Sequence, residues 1–176
     1  MRTETTTRML YKFDELSDDG KKKVIEKLWD LNVDYEWWEF IYEDAEQVGL
    51  EITEFDLDRG AYVKGKFTQA AIDVANEIIK EHGKDCETYK TAMEYIEEYA
   101  YMENHYRDMA IKEDDDAYWD VEDMYTDDID IDFRQALLED YASILQKEYN
   151  YQTSREAIIE TIEANDYEFT ADGNLA

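Results

Sequence analysis

Residues 50–67 read LEITEFDLDRGAYVKGKF. The apolar period is two from Leu50 to Ile52 and on toward Phe55, and AYVKGKF (61–67) returns as a second strand. Between them lies DLDRG (56–60), a turn. Two such runs around a Gly-containing turn specify a β-hairpin with Arg59 and Gly60 near its tip.

Everything flanking the hairpin has helical period. Upstream, Ser17 is an N-cap for a helix over 18–31, with acids in its first turn and Val24, Leu28 and Leu31 on one stripe. Asp34 can cap a second helix, 35–48, and Gly49 stops it. Its inner side holds Trp37, Trp38, Ile41, Tyr42 and Ala45. Adjacent helix residues point about 100° apart, so only one tryptophan reaches the deepest core, and packing against the hairpin is the plain role of the pair. Downstream, Thr68 can cap 69–82, and a longer helix runs over 86–111 with Cys86 packing at its start. Tyr118, Trp119, Val121, Met124 and Tyr125 interleave with the acids that follow, so part of that stretch is expected to be helical and docked. A further helix is expected over 130–151, and Thr153-Ser154-Arg155-Glu156 has capping spacing for a last one through Ala164. Short strands are expected at both ends, over 5–13 and 167–170. The class is α+β, mainly helical: a small antiparallel sheet (the hairpin plus terminal strands) packed by about six helices.

The 176 residues fit a single domain, 1–176, with a sheet-plus-helices core (1–84), a strongly acidic helical part (85–165) and a terminal strand (166–176). Hydrophobic residues make up 44% and aromatics 14%, too apolar for a disordered acidic tail. With no Pro and six Gly, helices can run long. A lone cysteine excludes an internal disulfide framework and fits a reducing cytosol. No apolar run approaches the ~20 residues of a membrane span, and 1–10 carries no apolar signal core. Cytoplasmic residence, in a host cell given the resemblance below, is the expectation.

Charge dominates function. The formal net charge is -29. From 113 to 132 stand eleven carboxylates and no Lys or Arg: Glu113, Asp114, Asp115, Asp116, Asp120, Glu122, Asp123, Asp127, Asp128, Asp130 and Asp132. Self-repulsion on this scale opposes compaction. Like charge argues against direct binding to nucleic acid or anionic lipid, and for a basic partner or metal cations. On a helix, residues three and four apart have Cβ atoms about 5–6 Å apart, so Asp116, Asp120 and Asp123 would form a row spaced close to the phosphates of one strand. A merely solvated acidic surface is the competing explanation.

Catalytic and metal chemistry find little support. An EF-hand loop needs a Gly at its sixth position and a Glu at its twelfth, whereas 114–125 has no Gly and closes on Met124 and Tyr125. His82 and Cys86 are four apart with only His105 as a further nitrogen donor, short of a zinc set. Neither His82 nor His105 is placed to suggest a nucleophile–base pair, and no Gly-rich phosphate loop is present. Among 47 acids, any chosen carboxylate pair is uninformative. The expectation is a non-enzyme with no cofactor and no metal.

YKFDELSD (11–18), Trp37-Trp38-Glu39, FDLDRG (55–60) and ETIEANDYEF (160–169) carry a resemblance that covers nearly the whole chain. The chain resembles a family of small acidic proteins encoded by bacteriophages and other bacterial mobile elements, which brings no catalytic residues. In charge and size it is similar to DNA-mimic anti-CRISPR and anti-restriction proteins, although the motifs of ArdA-type antirestriction proteins are absent. This implies an anti-defence inhibitor, foremost an anti-CRISPR, whose 94–132 region blocks the surface with which a host effector complex grips DNA or RNA. The expected contact residues are Asp114, Asp115, Asp116, Asp120, Glu122, Asp123, Asp127 and Asp128. The alternative is an antitoxin against a basic toxin, or a regulatory module that works as a homo-oligomer.

Overall fold

The structure, a computed structural model, describes residue 2 and residues 8–58, 60–110 and 117–176; side chains of 106–126 fall outside that description. The chain is mainly helical α+β. Among the described residues it forms six α-helices and one two-stranded antiparallel sheet. In chain order these are α1 (Asp18–Lys27), α2 (Glu39–Gln47), β1 (Leu50–Asp56), β2 (Tyr62–Phe67), α3 (Ala71–Glu81), α4 (Glu87–Ala110), α5 (Ala117–Gln152) and α6 (Arg155–Ala164). Two compact units result: residues 1–37 with 147–176, and residues 38–146.

In the first unit, Phe13, Leu16, Val24, Ile158, Ile162 and Phe169 make one buried cluster. Both helices there start on serine caps: the Ser17 hydroxyl accepts from the Gly20 amide and Ser154 from the Ala157 amide, each at 3.2 Å. The expected terminal strands shrink to isolated bridges, Tyr11 with Phe169 and Phe169 with Leu175, separate from the hairpin sheet. Residues 5–7 of the N-terminal one lie outside the described residues. Tyr11 and Phe169 exchange both backbone bonds at 2.9 Å, and Phe169 is fully buried. The tail is held further by the Lys27 ammonium, which donates to Asn174 Oδ1 at 2.7 Å and to the carbonyls of Asp172 and Gly173.

The second unit is built on the hairpin. Its register runs from Leu50 opposite Phe67 to Asp56 opposite Tyr62, with a bulge between Ile52 and Glu54. The Asp56 carboxylate accepts from the Asp58 amide at 2.7 Å and shapes the turn; Arg59 lies outside the described residues. Gly65 has a steric reason. A Cβ there would stand 2.7 Å from the Glu51 carbonyl and 3.0 Å from Leu138 Cδ2 on α5. Hairpin and helix approach closely only because that atom is missing. Gly65→Ala is therefore expected to cost about 1–3 kcal/mol by overpacking, read as a lowered urea midpoint; an unchanged midpoint would contradict the approach.

Several boundaries differ from the sequence expectations. Thr68 does not cap α3: its hydroxyl donates to the Gly49 carbonyl, so α3 starts at Ala71. α2 begins at Glu39, preceded by Trp38 and not capped by Asp34. Trp37 is buried, while the half-buried Trp38 meets Phe55 of the hairpin edge-on at 5.4 Å. Cys86, expected to pack at the start of α4, is exposed. The largest difference is α5, which begins at Ala117 and not near residue 130, so the partly helical acidic stretch and the helix expected over 130–151 are one continuous helix.

Candidate functional site

Between Lys90 and Arg107 the sequence of α4 contains no Lys or Arg. Four of its residues, Thr91, Glu94, Tyr95 and Glu98, follow the i, i+3, i+4, i+7 pattern that puts side chains on one face. On α5, Ile129, Asp132, Phe133 and Ala136 repeat that spacing. The two stripes meet and enclose a groove of about 140 Å³ lined by these eight residues.

Its floor is apolar and rigid. Tyr95 and Phe133 are buried and stack at 4.3 Å with 19° between their planes, and Phe67 of β2 reaches Phe133 at 5.4 Å. Two hydrogen bonds tie the helices together beside the groove. Thr91 donates to Asp140 Oδ2 at 2.7 Å, and the Tyr95 hydroxyl donates to Asp130 Oδ1 at 2.6 Å. Burial, reinforced by the Asp130 bond, pushes the Tyr95 phenol far above its ordinary value, so it remains a donor.

The rims are acidic. Glu94, Glu98 and Asp132 are exposed, and none of them is in an ion pair with a described residue. Nearby, the Asp140 carboxyl is raised above the usual range, first by burial and then by the fields of Glu87, Glu139 and Glu94, with the Thr91 bond opposing. Because its folded pKa lies above the unfolded one, the native state holds the proton more readily. Stability therefore falls as pH rises past the ordinary Asp value of about 3.9. Asp140→Asn keeps an acceptor for Thr91 and removes the charge. It is expected to stabilise the protein at pH 7 by several tenths to about 1 kcal/mol, with the gain vanishing below about pH 4; thermal melts across that range check it.

Of the residues expected at the contact face, Asp127 and Asp128 are exposed on α5, with Asp128 one turn before Asp132. Asp120, Glu122 and Asp123 belong to the same helix, but their side chains lie outside the described residues, as do Asp114, Asp115 and Asp116 altogether. Of the span weighed as an EF-hand loop, residues 117–125 belong to helix α5 and 114–116 lie outside the described residues. Asp130, one of the eleven acids, turns inward as the partner of Tyr95.

A second polar constellation was not legible in the sequence. His82, just beyond α3, places Nδ1 2.8 Å from the Thr88 hydroxyl and Nε2 3.5 Å from Asp44 Oδ1, while the Tyr141 hydroxyl donates to Asp44 Oδ2 at 2.9 Å. The order carboxylate–imidazole–hydroxyl matches a catalytic triad, yet its geometry does not serve one. Thr88 is only 2% exposed, so its oxygen has no access to a substrate. Nε2 is buried without a hydrogen-bond partner, and 3.5 Å makes its approach to Asp44 an electrostatic contact rather than a hydrogen bond. The Asp44 carboxyl is depressed below its ordinary range, chiefly by His82 and then by Tyr141, against the effect of burial. These four residues clasp α2, the end of α3, the start of α4 and α5. No group of three metal-ligating side chains occurs among the described residues, and no described helix is long and apolar enough to cross a membrane.

Comparison of the chain with family models, with curated proteins and with solved structures finds no match.

Proposed function

We propose that the protein is a non-enzymatic inhibitor that competes with nucleic acid for a basic partner, presenting the α4–α5 acidic face in place of a phosphate backbone. A host defence complex that grips DNA or RNA, foremost a CRISPR effector, is the target class the sequence resemblance favours. One observation carries the proposal. Glu94, Glu98 and Asp132 stand at one-turn spacing on two braced helices, without an ion-pair partner among the described residues. Carboxylates held this way keep their field for an incoming cation, and bracing lowers the ordering cost of binding. Asp127 and Asp128 extend the face along α5.

A salt titration of the complex with its partner tests this. Raising NaCl from about 50 to about 300 mM should weaken binding at least tenfold, because the Debye length shrinks below the spacing over which such faces attract. Duplex or single-stranded nucleic acid should compete. Salt-independent affinity rejects the mechanism.

A further inference from the structure

We propose that the groove between α4 and α5 is a receptor for one arginine side chain of the partner, an inference that rests on the basic-partner reading and narrows it. Size sets the first limit. At about 140 Å³ the groove lies below the roughly 300–1,000 Å³ of small-molecule sites; it has room for a single protruding side chain. Its wall chemistry sets the second. An apolar floor of Tyr95, Ile129 and Phe133 under carboxylate rims from both helices suits a guest with an apolar stem and a cationic head. An anionic guest is excluded by sign.

Arginine fits better than lysine. Its planar fork of five donors matches carboxylates arriving from two sides, Glu94 and Glu98 from α4 and Asp132 from α5. It is also more weakly hydrated than an ammonium, so it sheds water more readily on reaching an apolar floor. Asp130 and Asp140 are already engaged with Tyr95 and Thr91, so the guest meets the three rim carboxylates.

The test uses the full chain and two flexible Gly-Ser peptides, one bearing three arginines and one bearing three lysines, titrated by calorimetry at about 150 mM NaCl, where long-range attraction is screened. The wild type should bind the arginine peptide at least about fivefold tighter, a difference of about 1 kcal/mol. In its NMR spectrum the methyls of Ile129 and Ala136 should shift. The triple variant Glu94→Gln/Glu98→Gln/Asp132→Asn should lose that preference. A control, Asp30→Asn/Glu36→Gln/Glu43→Gln, changes three exposed acids elsewhere and should keep it; three neutralisations take either variant from -29 to -26. Equal binding of the two peptides, equal behaviour of the two variants, or unmoved methyls overturns the arginine receptor while leaving the basic-partner reading intact. Failure of both peptides to bind even at about 20 mM salt overturns both.

Discussion

Reversing Glu98, Asp128 and Asp132 together to lysine is expected to weaken the complex with the basic partner at least about 100-fold, close to 3 kcal/mol. All three are exposed, on α4 or α5, so the change leaves the buried Tyr95–Phe133 stack in place. Three reversals of two charges each take the net charge from -29 to -23, a minor change in the far field. Under the proposed function, the large loss comes from placing cations where the partner's Lys and Arg would sit. The same three-fold reversal at Asp30, Glu36 and Glu43 alters the far field equally and should cost less than about fivefold. Circular dichroism melts confirm that both variants fold. Equal losses would mean that only total charge matters and that no face is arranged.

Tyr141→Ala is expected to be the most destabilising single change described here, at about 3–5 kcal/mol. Its ring is fully buried, and its hydroxyl is one of two partners the structure gives Asp44. Truncation leaves a cavity and loosens a charged hydrogen bond at once. Tyr141→Phe separates the two effects: only the bond is lost, and the cost should fall to about 1–2 kcal/mol. In an Asp44→Asn background the Tyr141→Phe cost should shrink, a coupling that a double-mutant cycle in urea measures. With typical domain stabilities of about 5–15 kcal/mol, the alanine variant should show a clearly lowered urea midpoint. A loss below about 1 kcal/mol would contradict the clasp at that corner of the unit.

Much of the architecture could be read from local signals. The hairpin over 50–67 was legible because its period, turn residues and glycine agree. Ser17 was legible because a cap acts within three residues of itself, whereas the Thr153–Glu156 spacing located the start of the last helix and the cap itself falls one residue on, at Ser154. Where the competing partner is distant in sequence, local reading failed. Thr68 is spent on the Gly49 carbonyl, nineteen residues away. The start of α5 was only partly legible: Tyr118, Trp119, Val121, Met124 and Tyr125 among the acids mark part of that stretch as helical, but a bounded helix is legible only from residue 130, next to Ile129 and Phe133 of its buried stripe. The terminal segments have strand-forming residues, yet among the described residues their ends pair only as isolated bridges.

The groove was half legible. The sequence marks 94–132 as a densely acidic span, and Glu94, Glu98 and Asp132 fall within it. That Asp130 turns inward to Tyr95 while Asp132 stays exposed depends on helical phase against a neighbouring element. The same holds for the clasp, where Asp44, His82, Thr88 and Tyr141 come together only through tertiary packing.

The most direct measurement is competition. The immobilised protein is exposed to lysate from a host carrying several defence systems, washed, and eluted in parallel with duplex DNA, single-stranded RNA, salt and a neutral polymer, and each eluate is identified by mass spectrometry. An arranged imitation of a phosphate backbone predicts that the retained proteins bind nucleic acid, are released by nucleic acid or salt, and are absent when the Glu98→Lys/Asp128→Lys/Asp132→Lys variant is the bait. Retention of partners that neither nucleic acid nor salt displaces, or that the variant captures equally well, contradicts it.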